Sequence, residues 1–146
     1  MAQTGARSDP VPAFRFEINL DNLPVAGFSE CSGLQLEIEV QEYHEGGLNA
    51  YMRKFPGHTK QSNITLKRGI VDRKVWEWFY KLTQGNVEFR NGSIVVRDPS
   101  GSAEVMKWNF KNAFPCKWVG PELNATQNNV AVETLELCHQ GLERLI

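Results

Sequence analysis

The sequence predicts a mainly β fold, a barrel or sandwich of short strands with one helix against it. Three observations carry that expectation. Short runs alternate apolar and polar residues with a period of two, as half-buried strands do. Turn-forming clusters of Gly, Pro, Asn and Asp separate them at close intervals. A single stretch, Asp72 to Gly85, has helical periodicity instead. The count is roughly seven or eight strands and one helix, and no internal repeat competes with it.

Residues 1–12 read as a flexible N-terminal arm, because small and polar residues dominate and two prolines discourage strand pairing. The remaining 13–146 read as a single domain, which suits a chain of 146 residues. Phe14, Phe16, Ile18 and Leu20 alternate with Arg15, Glu17 and Asn19 in a first strand, which ends in an Asp21-Asn22 turn. Residues Phe28 to Gly33 bend into a second strand, with Gly33 allowing a kink. From Leu34 to Gln41 the alternation is complete. Leu34, Leu36, Ile38 and Val40 share one face, and Gln35, Glu37, Glu39 and Gln41 the other.

The segment 42–61 that follows is the long loop, or hairpin tip, around which the rest is arranged. Gly46-Gly47 relieves the bar on positive φ, and Phe55-Pro56-Gly57 reads as a turn. Tyr43, Leu48, Tyr51, Met52 and Phe55 are too apolar for a solvated, disordered loop. Loops of this length in compact domains are usually functional, so the segment reads as an interface. The basic residues Arg53, Lys54, Lys60, Lys67 and Arg68 have aromatics among them, a nucleic-acid pattern. Glu42 and Glu45 weaken that reading; mixed signs suit pairing with another copy of the chain.

Ser62 to Lys67 forms the strand after the loop. Asp72 then N-caps the helix, on which Val75, Trp78, Phe79 and Leu82 form one stripe and Gly85 terminates. Trp76 and Tyr80 lie off that stripe. Either the helix sits deep against a sheet, or one of the two meets a neighbouring subunit. Val87 to Arg90 and Ser93 to Arg97 read as a hairpin about Asn91-Gly92, a type I′ signal. Asp98 to Gly101 is a turn. Glu104 to Lys111 is a strand with Met106, Trp108 and Phe110 inward, and Phe114 to Val119 pairs back on it. Val130 to His139 is a last, central strand, stopped by Gly141; Leu142, Leu145 and Ile146 form an apolar end that should dock.

Composition narrows the function. The formal net charge of −1 argues against a general nucleic-acid or polybasic membrane binder. Cys31, Cys116 and Cys138 are widely spaced, odd in number and without a CxxC, so they read as free thiols of a chain made in a reducing compartment. No apolar run approaches the ~18 residues of a membrane span, and the N-terminus has no signal-peptide core. Catalytic patterns are missing. His44, His58 and His139 lack ligand spacing, and the Glu37/Glu39 pair on one strand face reads as solvated rather than acid–base chemistry. The expectation is no enzyme, no metal and no cofactor.

The ordered set E-Y-x-E-G-G, K-F-P-G-x-x-K and N-I-T-L-K-R-G between Glu42 and Gly69 resembles the tail tube protein family of contractile phages. The inner-tube proteins of phage-tail-like contractile injection systems share it. Phe14-Arg15-Phe16, Gly27 to Leu34, Trp108 to Pro115, Gly120-Pro121 and Val132 to Leu137 extend the resemblance over nearly the whole chain, with Phe114 where Trp is frequent. It implies a small β-barrel of two packed antiparallel sheets with one flanking helix, like the ring proteins of type VI secretion. It implies hexameric rings stacked into a hollow, rigid inner tube, propelled through a target envelope by a contracting sheath and able to carry cargo. Expected partners are further copies of the chain, the sheath protein, baseplate and tube-initiator proteins, and tape-measure and cargo proteins in the lumen. Assembly would occur in the bacterial cytoplasm, as part of a phage tail or a released injection particle. Tyr43, Glu45, Gly46, Gly47, Tyr51, Arg53, Lys54, Phe55, Pro56, Gly57 and Lys60 are the expected subunit interface. Arg15, Glu17, Asn19, Gln35, Glu37 and Glu39 are the candidate lumen-facing residues. The rival readings are a tube-initiator ring or type VI ring protein, and a monomeric β-sandwich binding module using Trp108 and Trp118.

Overall fold

The computed structural model describes residues 16–21, 23, 28–44, 46–47, 52–126 and 130–146. The expected N-terminal arm, Arg15, Glu45, Leu48 and Tyr51 lie outside the described residues. Among the described residues nine strands and one helix follow in the order β1 (Phe16–Leu20), β2 (Glu30–Ser32), β3 (Leu36–Tyr43), β4 (Arg53–Gln61), β5 (Ile64–Gly69), α1 (Arg73–Thr83), β6 (Arg90–Arg97), β7 (Glu104–Val119), β8 (Glu133–Cys138) and β9 (Gly141–Arg144). Every pairing is antiparallel.

The fold turns on β7, a single 16-residue strand where the sequence suggested two that pair with each other. Its first half joins β6 and, beyond it, β1; its second half joins β8, then β5 and β2. The strand thus belongs to two sheets. The switch falls at Asn112, which takes a positive φ of 50°. Asn tolerates the left-handed region better than most residues, and its backbone N–H is held by Asn91 Oδ1 at 3.0 Å. On the other side of β7 the chain bends in step. β8 ends at Cys138, and β9 resumes alongside the first half of β7, with Leu142 opposite Phe110. Gly141 therefore starts a strand rather than stopping one. His139 occupies the corner, its ring nitrogens 3.1 Å from the Gly141 carbonyl and 3.0 Å from that of Ser62.

The two sheets enclose Ile18, Leu20, Ile64, Leu66, Ile94, Phe110, Leu135 and Leu137, to which α1 adds Val75 and Trp78. Leu142 packs against this cluster, as the expected docking of the C-terminus requires, whereas Leu145 and Ile146 stay about half exposed, at 49% and 50%. The helix matches its sequence signals. Asp72 accepts from the Lys74 N–H at 2.9 Å, and Gly85 takes φ 87° beyond the last turn. Trp78 reaches out of it to donate to the Glu88 carbonyl at 2.8 Å. Trp76 packs edge-on against Trp118 of β7 at 4.6 Å, so its contact lies within the chain; Tyr80 is exposed.

Asn91-Gly92 is not a hairpin turn but lies inside β6, with Gly92 opposite both Leu20 and Phe110. A Cβ there would enter the Phe110 ring and stand 2.7 Å from the Asn19 carbonyl oxygen. The glycine serves close approach, not turning. Residues 87–89 accordingly form no strand. Among the described residues β1 and β2 do not pair, which leaves a groove of about 530 Å³ between the sheets, lined by Phe16, Cys31, Leu34, Ile94, Val96 and Trp108.

Candidate functional site

β3 and β4 stand apart from everything above. They pair only with each other, in a two-stranded sheet that no other described strand joins. The long loop of the sequence reading is therefore mostly strand: β3 extends to Tyr43 and β4 begins at Arg53, so the connection is confined to residues 44–52. Gly47, at φ 97°, sits in that connection, where the paired glycines were expected to act. Pro56 and Gly57 do not turn the chain. Pro56 lies opposite Val40, and the register slips between Ile38 and Val40. A proline cannot donate to a ladder, so an edge strand at a bulge is where a sheet accepts it. At Gly57 a Cβ would stand 2.9 Å from the Glu39 carbonyl oxygen, so the glycine lets the bulged strands approach.

Register divides the candidate residues between two faces. One carries Leu36, Ile38 and Val40, with Thr59 and Pro56 opposite. The other carries Glu37, Glu39, Gln41 and Tyr43, with Lys60 opposite Glu37 and Phe55 opposite Gln41. Tyr43 and Phe55 meet edge-on at 6.5 Å. Lys54 faces Glu42 across the ladder. Opposite charges so placed hold the register for roughly 0.2–1 kcal/mol per pair.

Alternation in this region predicts a half-buried strand, yet the apolar face is bare: Leu36, Ile38 and Val40 are 51%, 56% and 58% exposed. Tyr43 and Phe55 are similarly open, at 56% and 46%. An isolated two-stranded ribbon is marginal in water. Covering the remaining half of each of those three aliphatic side chains is worth roughly 1 kcal/mol apiece. The arm thus has the composition of a buried strand and the environment of a surface one.

The described candidate lumen residues fall on two separate elements. Glu17 and Asn19 lie on β1, where Glu17 pairs with Arg97 at 3.1 Å; Gln35, Glu37 and Glu39 belong to the arm and its approach. The aromatic pair of the binding-module reading is not an open platform. Trp108 packs against the core, and Trp118 is tilted 64° against Trp76.

Several residues that matched the family pattern have work inside the chain that no spacing signalled. Glu133 accepts from the Val71 N–H at 2.7 Å and from Trp118 Nε1 at 3.3 Å, tying the entry of α1 to β7 and β8. Asn63 donates to Glu136 at 2.7 Å. Arg68, in the left-handed region at φ 58°, pairs with Glu30 at 3.2 Å at the β5 bulge. Among the described residues no group of three or more His, Cys, Asp or Glu side chains is placed to hold a metal ion, and no helix is long and apolar enough to cross a membrane.

A family model described as T4-like virus tail tube protein gp19 matches residues 12–143. Among solved structures, the chain is similar to one in the cryo-EM structure of the anti-feeding prophage cap, the AFP tube terminating cap. Identity is 30% and the TM-score 0.85, with 99% of each chain covered. It is similar to a chain of the PVC extracellular contractile injection system, sheath-tube complex in the extended state, at 29% identity and TM-score 0.79, covering 93% of this chain and 91% of that one. A third, from the AFP baseplate, has 26% identity and TM-score 0.81, with 95% and 97% covered. No curated protein sequence matches.

Proposed function

This chain belongs to the T4-like virus tail tube protein gp19 family, and from that premise we propose that it is the repeating inner-tube subunit of a contractile injection particle. The subunits form hexameric rings, and the rings stack into a hollow tube driven by its sheath. The observation that carries the reading is the β3–β4 arm, a strand pair whose apolar face no described strand covers and which another copy of the chain would bury. A contact between different surfaces of identical copies repeats without limit, which is what a stack of rings needs. The short edges β1 and β2 are the places where neighbouring sheets join within a ring, since joined edges are no longer open to disorderly pairing. The protein acts as a structural element, not as an enzyme. The partners are other copies of the chain, the sheath, and the baseplate that starts the stack. Residues 13–146 act as one assembly unit.

A second reading, a ring that starts or ends the tube, draws support from the relatives in the AFP cap and baseplate structures. Copy number per particle separates the two: many rings for the tube, one for a terminal ring.

Negative-stain electron microscopy of the concentrated protein tests the assembly. Six-fold rings or stacked tubes are expected from the intact chain. A variant lacking residues 45–60 is expected to stay folded, since the arm pairs with no other sheet, and to form no stacks. Long tubes from that deletion refute the role of the arm.

A further inference from the structure

Four side chains from three neighbouring segments meet on the sheet face that points away from the core. They are Asn63, immediately before β5, Cys116 of β7, and Glu136 and Cys138 of β8; their neighbours Ile64, Leu135 and Leu137 point inward and are fully buried. The Cys138 thiol donates to Asn63 Oδ1 at 3.2 Å. Asn63 Nδ2 lies 3.7 Å from Cys116 Sγ, and the Cys116 thiol donates to the Glu136 carbonyl at 3.4 Å. Two thiols thus share one amide.

Register explains the meeting. Cys138 is opposite Phe114, and the bulge between Pro115 and Lys117 leaves Cys116 without a ladder partner. A bulged residue can turn its side chain towards the neighbouring strand, which an in-register residue two places along could not do. Cys31 is elsewhere: it lies on β2 and packs against the core.

We propose that Cys116 and Cys138 form an intramolecular disulfide when the chain meets an oxidising thiol–disulfide environment. The step balances with a small-molecule disulfide as oxidant. One protein thiol gives its proton to solvent, and its thiolate attacks a sulfur of oxidised glutathione, releasing a glutathione thiolate. The other protein thiolate then attacks the protein sulfur of that mixed disulfide and releases the second glutathione. Two protein thiols become one S–S bond, and one small disulfide becomes two thiols. Partial desolvation of its sulfur, and then the neighbouring Cys138, push the Cys116 thiol up to about 12. Closure is therefore slow at neutral pH and quickens as pH rises. The bond clips β7 to β8 across the 117–137 segment. It does not depend on tube assembly, so either proposal can fail without the other.

The test uses the reduced 146-residue protein, incubated with oxidised glutathione at pH about 8.5, then denatured, alkylated with iodoacetamide, digested and weighed. The expected product is one cross-linked peptide pair joining Cys116 to Cys138, with Cys31 alone alkylated. The oxidised protein should melt roughly 5 °C or more above the reduced one. Cys116→Ser and Cys138→Ser should each show no cross-link and no rise. Alkylation of all three cysteines, a glutathione adduct that never closes, or cross-links to Cys31 overturns the proposal; the cross-link map of the unsubstituted protein alone decides it.

Discussion

Glu133 holds two separate segments with one carboxylate oxygen, accepting from the backbone ahead of α1 and from the indole of Trp118. Each donor is partly buried, so removing the acceptor leaves both unpaired. Glu133→Leu is therefore expected to cost about 2–4 kcal/mol, and Glu133→Gln, which keeps one carbonyl, about 1 kcal/mol. Urea titration checks this: the midpoint should fall in that order while the slope stays constant. A glutamate in a strand gives no sequence sign of such a role. The partners are 62 and 15 residues away, and the family pattern marked the residue without saying why. Gly92 departs from its local turn signal for a related reason. Asn-Gly is a hairpin signal when nothing else constrains it, but here a ring from a strand far along the chain needs the space.

Among the elements, α1 was the most legible, because its cap, its apolar stripe and its terminating glycine are all local. The β3–β4 arm was legible in its alternation and not in its environment. Period two identifies the face meant to be buried and says nothing about which molecule buries it. That distinction predicts an unusual mutational signature. Ile38→Ser removes an exposed aliphatic side chain, 56% accessible, from the isolated subunit. Its effect on monomer stability is expected within about 0.5 kcal/mol, as for surface substitutions. Tube formation, scored by pelleting and microscopy, should be lost or severely reduced. A large drop in monomer stability together with normal tubes would reverse the reading of this face. The same comparison applied to Ile64, which is fully buried, should give the opposite pattern: several kcal/mol lost on truncation to Ala, roughly 2–5 for a buried aliphatic.

At the scale of the molecule, the defining feature is one strand shared by two sheets. β7 and the broken strand β8–β9 bend together, with Asn112 in the left-handed region on one side and the His139 corner on the other. Bending both at one level keeps the ladder satisfied, since Gln140 N–H still reaches the Lys111 carbonyl at 2.8 Å. Asn112→Gly should be nearly neutral, whereas Asn112→Val, with a branched β-carbon at φ 50°, is expected to cost about 1–3 kcal/mol. Thermal or urea unfolding of the pair, compared with the intact chain, measures that difference. A valine variant as stable as the glycine one would mean that the bend lies elsewhere.

By itself the sequence determined the strand-rich class, the single helix with both its ends, most of the inward-facing residues and the family. All of these rest on local periodicity, capping chemistry or an ordered set of motifs, and none needs to know which strand lies beside which. Only the tertiary structure decided that residues 104–119 are one strand rather than two, that Pro56-Gly57 is a bulge rather than a turn, and that Asn91-Gly92 is strand rather than hairpin. It also decided that Cys116 and Cys138 share an amide, and that among the described residues the apolar face of the arm stays exposed. Strand pairing joins residues tens of positions apart, and a side chain carries the same β signal whatever its neighbour. The choice of neighbour is fixed by how two sheets can close around one core, which no local stretch of the chain contains.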